Sequence, residues 1–481
     1  MTDMLLALET LGGTTALGLT YYGIASYGFG ARYWMLKDPD QRRAHRDAAH
    51  IRRTWPRLAR YLGLALRDDI PTVRQALTSD TNRNPQPRIR IPRILAVETD
   101  SFGVTVDFKP LPNVGIKEFV AKCEHMANHW NMVRVAAYQV EPQRIRVRAV
   151  RRDPLTIPLA MSEPSVEPRL DYYTAGVDDF GQPARIRIKN GSGIGVYGLP
   201  TYGKTSFILG LIARLSLSPA VQFVICDGKV ETGFEGDYMD VAERAVAVIG
   251  DDIEKFNLLM KELHKVRRAR ASTIRQTFGT ANIWNVGGPR PGWPLIVIII
   301  DEAHTYFEQV KATSKNADLA RQNALAAENA YLVADLVRKC RSVGMLPIIA
   351  TQKGTADAIP TNIRDNCHAS VCFAVKTNAA AEAALGEAIK EHPEANPVEY
   401  QPEEYIGVAS MVAERRKGFT RFRSPLCREA VAAATTDRTK HLASMRDVPG
   451  LTVGQDHRHT LDSSWDTPIA ELMDGVTDDK S

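Results

Sequence analysis

Gly198-Leu199-Pro200-Thr201-Tyr202-Gly203-Lys204-Thr205 satisfies the spacing G-x-x-x-x-G-K-[ST], the pattern of a loop that cradles phosphates. The chemistry requires those residue types at that spacing. Glycines let backbone N–H groups converge on an anion, and Lys204 can reach the β- and γ-phosphates of a nucleotide. Thr205 offers a hydroxyl to Mg²⁺. Ser206 continues into an apolar helical stretch, Ser206–Leu215, whose positive end points at the same anion. Gly198 through Ser206 is therefore the expected cofactor-binding set, with ATP and Mg²⁺ as the cofactors it implies.

A second constellation lies 97 residues beyond Lys204. Leu295-Ile296-Val297-Ile298-Ile299-Ile300 is a continuous apolar run, the mark of a strand buried on both faces of a parallel sheet, and it ends in Asp301-Glu302-Ala303-His304. Ligands of α/β sheets sit at such carboxyl ends. Asp301 is expected to hold Mg²⁺ together with Thr205, and Glu302 to orient or deprotonate an attacking water. Leu346–Ala350 leads into Thr351-Gln352, where Gln352 can sense a γ-phosphate. Lys229 ends the strand Val221–Cys226, and an ordinary polar strand tip explains it equally well. Arg338 and Arg341, with Arg364 third, are candidates for a guanidinium that stabilises the transition state from a neighbouring subunit; each is as readily a surface arginine.

The elements that must position these residues alternate. Strand-like runs at Ile194–Tyr197, Val221–Cys226, Leu295–Ile300, Leu346–Ala350 and Ser370–Val375 are separated by helical stretches, notably Asp251–Ala271 and Asp318–Arg341. That alternation predicts an α/β core, a parallel sheet with helices on both faces. Upstream, Ile94–Val97, Val104–Phe108, Lys117–Trp130, Val133–Tyr138 and Ile145–Val150 read as β-β-α-β-β, a small α/β accessory domain without catalytic residues. Its basic edge, Arg144, Arg146, Arg148, Arg151 and Arg152, reads as a solvated strand face.

Composition bounds the rest. With 481 residues, 44% apolar and a net charge of +5 from 61 basic and 56 acidic side chains, the chain is globular and long enough for several domains. Six cysteines with no CxxC pair and no spaced Cys/His set suggest neither a disulfide framework nor a zinc site, which fits reducing cytoplasm. Thr10–Ala31 carries no charge over 22 residues and is followed by Arg32, Lys37, Arg42, Arg43 and Arg46. A single membrane helix with the rest of the chain in the cytoplasm is the expectation, a buried or interfacial helix its alternative. Asn82–Arg88 reads as a linker, and the tail from Leu451, with seven acidic and two basic residues, as disordered. The expected division is a membrane anchor over 1–35, a basic juxtamembrane segment and linker over 36–93, the accessory domain over 94–170, a motor over 171–425 and an acidic tail over 426–481.

Residues of about 90–425 resemble the motor region of the FtsK/SpoIIIE DNA translocases. Gly198–Thr205, Cys226-Asp227-Gly228-Lys229 with Glu231, Asp301-Glu302-Ala303-His304, and Arg341-Ser342-Val343-Gly344 leading to Ala350-Thr351-Gln352 carry the resemblance, in the family's order. Ile359–Asn366 and Leu385-Gly386 also fit. The resemblance implies a RecA-like P-loop ATPase core and a hexameric ring of identical subunits that moves along double-stranded DNA. The short plan is most similar to the plasmid and integrative-element transfer proteins of mycelial actinobacteria. The usual Thr-Gly-Ser-Gly-like loop is here Pro200-Thr201-Tyr202-Gly203; Pro200 cannot donate an N–H and Tyr202 is bulky, so altered nucleotide affinity is expected. Two basic clusters, Lys265–Arg270 with Arg275 and Arg415-Arg416-Lys417 with Arg421 and Arg423, are candidate DNA tracks, the first equally a solvated helix face.

Three other readings compete. The Asp301–His304 box also occurs in RNA helicases, but the arginine motif they need is missing downstream. FtsK-like secretion ATPases move protein, usually with several motor units in a chain. A nucleotide-gated scaffold has no use for Glu302.

Overall fold

The computed structural model describes residues 23–68, 88–231, 235–310, 317–352, 358–412 and 418–455. The chain divides into two compact units, residues 1–154 with 180–182, and residues 155–179 with 183–481. The N-terminal unit has the expected β-β-α-β-β order. A short antiparallel pair, β1 (Leu66–Asp68) and β2 (Arg88–Arg90), precedes a four-stranded antiparallel sheet. That sheet has the order β3-β4-β6-β5, from β3 (Arg93–Thr99), β4 (Gly103–Lys109), β5 (Arg134–Glu141) and β6 (Arg144–Val150). One face packs a core of Val104, Val106, Phe108, Phe119, Trp130 and Val147. Residues 39–61 do not form the expected segment separate from the accessory domain. The helix Pro39–Tyr61 lays Ile51, Trp55 and Leu58 into this same core, and Trp55 Nε1 donates to Pro92 O at 2.7 Å. The unit also ends at Pro154 rather than at 170.

Period-two alternation puts Arg144, Arg146 and Arg148 on one face of β6, and the register sets Asp107 of β4 opposite Arg146. Asp107 is 2% exposed; it accepts from Arg146 Nε at 2.7 Å and from Arg144 at 2.5 Å. Arg148 is buried and bonds Thr105 and Asp100, Arg151 pairs with Asp47, and Arg152 pairs with Asp40 at 2.6 Å. The basic edge expected to be solvated is neutralised strand by strand.

The second unit contains a ten-stranded sheet in the order β11-β10-β12-β13-β9-β14-β15-β16-β7-β8. In chain order the strands are β7 (Tyr172–Asp178), β8 (Pro183–Arg187), β9 (Ile194–Tyr197), β10 (Val221–Asp227), β11 (Ala245–Ile249), β12 (Leu295–Asp301), β13 (Met345–Thr351), β14 (Ala369–Cys372), β15 (Val408–Val412) and β16 (Phe419–Arg423). The first six in sheet order, β11 to β14, are parallel; β15, β16, β7 and β8 extend them antiparallel. Every residue of β10, β12 and β13 is buried, because helices cover both faces. Right-handed crossovers put Lys204–Leu215 on one face and Ile253–Phe278 with Ala317–Lys339 on the other, since the chain steps along the sheet in opposite senses in the two cases. Helix ends are set locally. Asp252 accepts from the N–H groups of Glu254 and Lys255 at 2.9 and 3.0 Å, and Gly279 ends that helix at φ 71°.

The motor does not stop at 425. Glu429–Thr439 is a helix packed on Lys204–Leu215, and the segment to 455 pairs with β11 through Val248 N–H to Gly454 O at 2.9 Å. Within the expected acidic tail only 456–481 lies outside the described residues, as do most of the uncharged N-terminal run and Arg415–Lys417. Among the described residues no helix is long and apolar enough to cross a membrane.

Asp107 gives a test of the N-terminal unit. Asp107→Ala leaves two guanidinium groups without their shared carboxylate and is expected to lower stability by roughly 2 kcal/mol, read from chemical denaturation of the full chain. The hydrogen bond from Arg146, opposed by burial and joined by Arg144, holds the Asp107 carboxyl below its ordinary value. A depressed folded value means that this stabilisation is complete above the unfolded value near 4 and is lost as pH falls through the folded one. Asp107→Asn should remove that acid limb.

Candidate active site

β9 and β12 are not neighbours; β13 lies between them. Three strand tips therefore meet at the carboxyl edge of the sheet: the loop after β9, Asp301-Glu302 after β12 and Gln352 after β13. The loop turns into its helix at Gly203, whose φ of 106° favours glycine. A Cβ there would stand 3.1 Å from Gly407 Cα. The loop is tied down on its outer side. Leu199 N–H donates to Ala374 O at 2.9 Å, Gly407 N–H to Tyr202 O at 3.1 Å, and Tyr202 Oη to Gln401 O at 2.8 Å. Tyr202 thus packs outward against the cluster of Leu155, Ala374, Tyr400 and Val408. Ser206 is taken up structurally, its hydroxyl accepting from Cys427 N–H at 2.8 Å.

Lys204 is the first helical residue and its side chain is almost fully buried. Its Nζ donates to Asp301 Oδ1 at 2.6 Å and to Glu302 Oε1 at 3.3 Å. Asp301 Oδ1 also accepts from Glu302 N–H at 2.9 Å, and Oδ2 from Tyr238 Oη at 2.9 Å. The two oxygens of Glu302 differ. Oε2 is fixed by Gln352 N–H at 3.1 Å and His304 Nδ1 at 3.2 Å, whereas Oε1 faces Lys204. Burial alone would raise the Glu302 carboxyl; His304, Lys204 and the Gln352 N–H outweigh it and bring the group down to about 2. Glu302 also sits at φ 47°, a left-handed conformation that is strained for a residue with a Cβ.

Lys229 joins the site. Its Nζ lies 3.0 Å from Asp237 Oδ2 and 3.7 Å from Asp301 Oδ2, and Asp237 Oδ2 also accepts from Thr205 Oγ1 at 3.4 Å. Burial would lower the Lys229 ammonium, but Asp301 and Asp237 raise it. Thr205 and Asp301 supply hard oxygen donors, a set that fits Mg²⁺. A cavity of about 440 Å³ opens from Lys204, Thr205 and Gln352 toward Leu159, Ile406, Pro425 and Leu426, with Glu403 and Glu404 at its wall. A largely apolar pocket beside a phosphate loop can hold a nucleobase.

The structure brings together Lys204, Thr205, Asp301, Glu302 and Gln352 as expected. It does not bring Arg338, Arg341 or Arg364 to them. Each precedes a strand, so each lies at the amino edge of the sheet, a strand length or about 20 Å from the loop. Of the candidate DNA tracks, Arg270 is interior and bonds Pro294 O, Val343 O and Gly344 O, and Arg423 is buried against Leu155 O. Arg421 faces Asp179 at 3.4 Å. Asp237 and Tyr238 were missed by sequence reasoning, because they follow β10 in a stretch with no motif.

Lys204→Ala strands two buried carboxylates and is expected to destabilise the nucleotide-free chain by about 3 kcal/mol. Glu302→Gln keeps an acceptor for Gln352 N–H and leaves the Lys204–Asp301 pair, so its loss should stay near 1 kcal/mol. Equal denaturation midpoints for wild type and Lys204→Ala would show that the pair contributes nothing to folding.

Compared by sequence, the chain matches no protein-family model and no curated protein. Solved structures do match. The pCW3 conjugation coupling protein TcpA, in its monomer form with ATPγS, superposes with a TM-score of 0.50 at 16% identity, over 73% of this chain and 94% of that one. The type VII secretion ATPase EccC of Thermomonospora curvata gives 0.42 at 17% identity, over 58% of this chain and 32% of its own length. The DNA-packaging ATPase B204 of Sulfolobus turreted icosahedral virus gives 0.29 at 13%, over 49% and 98%. In fold, this chain is similar to TcpA.

Proposed function

We propose that the chain is an ATP-driven translocase of double-stranded DNA that moves plasmid or integrative-element DNA between cells. The observation that carries the reading is the convergence of Lys204, Asp301, Glu302 and Gln352 at the carboxyl edge of the sheet, beside an apolar pocket. The conjugation role rests on the likeness to TcpA and on the motif resemblance. In a ring of six identical subunits, Arg338 and Arg341, which lie away from their own loop, are proposed to serve a neighbour's. The N-terminal uncharged run is proposed to anchor the ring at the cell membrane with the motor in the cytoplasm.

The residues divide the work of hydrolysis. Lys204 leaves its carboxylates for the β- and γ-phosphates, which is the exchange that nucleotide binding must drive. Thr205 and Asp301 would hold Mg²⁺, which when bound offsets charge on the phosphate oxygens. Departure of Lys204 frees Glu302 Oε1, while His304 and the Gln352 N–H keep Oε2 in place. The freed oxygen faces the site, loses the cation that depressed its basicity, and can orient a water and accept its proton. Gln352, just past the tip of the strand between loop and acid, is the residue we propose reports the γ-phosphate.

The test is ATP turnover by the full chain with no nucleic acid, duplex DNA, single-stranded DNA or RNA. Stimulation by duplex alone is expected, with Glu302→Gln binding ATP normally and turning over roughly 10²- to 10³-fold more slowly. Turnover indifferent to DNA yet lost in Glu302→Gln would overturn the DNA reading and point to a protein cargo.

A further inference from the structure

The turn after β10 is pressed onto the turn after β12. Gly228 N–H donates to Asp301 O at 3.1 Å, Thr305 Oγ1 to Gly228 O at 3.0 Å, and a Cβ on Gly228 would stand 2.9 Å from Glu302 O. This contact sets Lys229 beside Asp301. Its ammonium lies 3.0 Å from Asp237 and 3.7 Å from Asp301, and the same Asp237 oxygen meets the Thr205 hydroxyl at 3.4 Å. Lys229 therefore bridges, through Asp237, the two residues read as the metal side of the site.

Charge points the same way. Four carboxylates, Asp227, Asp237, Asp301 and Glu302, face two ammonium groups, Lys204 and Lys229. Asp227 is 1% exposed, and among the described residues its Oδ2 has no hydrogen-bond partner. That oxygen lies 3.2 Å from where a Cβ on Gly236, the residue before Asp237, would be. The carboxylates outnumber the ammonium groups by two around a centre that is buried at Asp227, Asp301 and Glu302 and about a third exposed at Lys229 and Asp237, an imbalance that a divalent cation would offset. No three Asp, Glu, His or Cys side chains among the described residues converge as a self-sufficient metal site. Mg²⁺ characteristically takes one or two carboxylates, a hydroxyl and substrate oxygens.

We infer that Asp237 is a third metal-side residue with Thr205 and Asp301, and that Lys229 is a resident cation that holds their place until a divalent metal with its nucleotide displaces it. The inference rests on the nucleotide-site reading above and adds two residues and a competition to it. Lys229 keeps the acidic cluster neutral enough to fold without metal, and it penalises metal that arrives without phosphates to share the cost of displacement.

Two measurements on the full chain decide it. In the first, Mn²⁺ binding without nucleotide is followed by electron paramagnetic resonance. Lys229→Gln should bind Mn²⁺ at least tenfold more tightly than wild type, Lys229→Arg should bind like wild type, and adding Asp237→Asn to Lys229→Gln should abolish the gain. Unchanged or weaker binding in a folded Lys229→Gln chain overturns the inference. In the second, ATPγS affinity is measured by calorimetry with Mg²⁺ and with EDTA. Asp237→Asn should lose about tenfold with Mg²⁺ and nothing with EDTA; equal losses in both would make Asp237 merely structural. A wild-type chain that binds no ATPγS in either condition defeats the nucleotide-site reading itself, and the Mn²⁺ measurement still decides the role of Lys229 and Asp237.

Discussion

Asp301 and Glu302 are carboxylates at the end of a strand with no access to water, and charges so placed must be paired or the fold does not keep them ionised. Lys204 supplies the pairing cation, and much of the second unit can be read as the apparatus that delivers it. The ammonium at the first residue of one helix reaches acids at the tip of a strand two places away, across β13. The loop turns into that helix at Gly203 with a left-handed φ. Gly407 leaves room for that turn, and Tyr202 pins it from outside through the Gln401 carbonyl. The strained φ of Glu302 belongs to the same arrangement. It is held by the residue's own N–H on Asp301 and by Gln352 N–H on its carboxylate, so the site pays for geometry with local strain that the surrounding sheet imposes.

What could be read from the sequence was whatever local pattern determines. Phosphate loops and doubly buried strands declare themselves in a few adjacent residues, so Lys204, Thr205, Asp301, Glu302 and Gln352 were legible, and so was the β-β-α-β-β unit. Features that depend on which segment folds against which were not. The helix Pro39–Tyr61 looks like a basic surface helix because Arg42, Arg43, Arg46, Arg52, Arg53 and Arg57 dominate its composition. Its other face carries Ala48, Ile51, Trp55 and Leu58, and only the partner sheet shows that this face is core. Asp237 and Tyr238 are similar. Neither belongs to a motif, and their meaning comes from the Gly228 turn lying against the acid box. The tail looked unstructured because Leu451 and Val453 are isolated apolar residues, yet they pack on the motor core while Thr452 and the Val453 N–H bond Glu262.

Arginines show the same limit from the other side. Runs of basic residues suggested surfaces for nucleic acid, but the guanidinium is also the side chain best able to satisfy several buried carbonyls at once. Arg270 does this for three carbonyls where two segments meet, and Arg244 does it for Ser216, Ser218 and Val221. On the helix Ile253–Phe278, removing Arg270 and the half-buried Arg267 from the basic run leaves Lys265, Arg268 and Arg275 exposed. At 100° per residue these three fall within a stripe about 80° wide, along one line of the helix surface. That line lies toward the amino edge of the sheet, the same edge as Arg341 and opposite the phosphate loop. The charge that reaches solvent is a small, ordered fraction of the charge in the sequence, and strand register and helix phase select it.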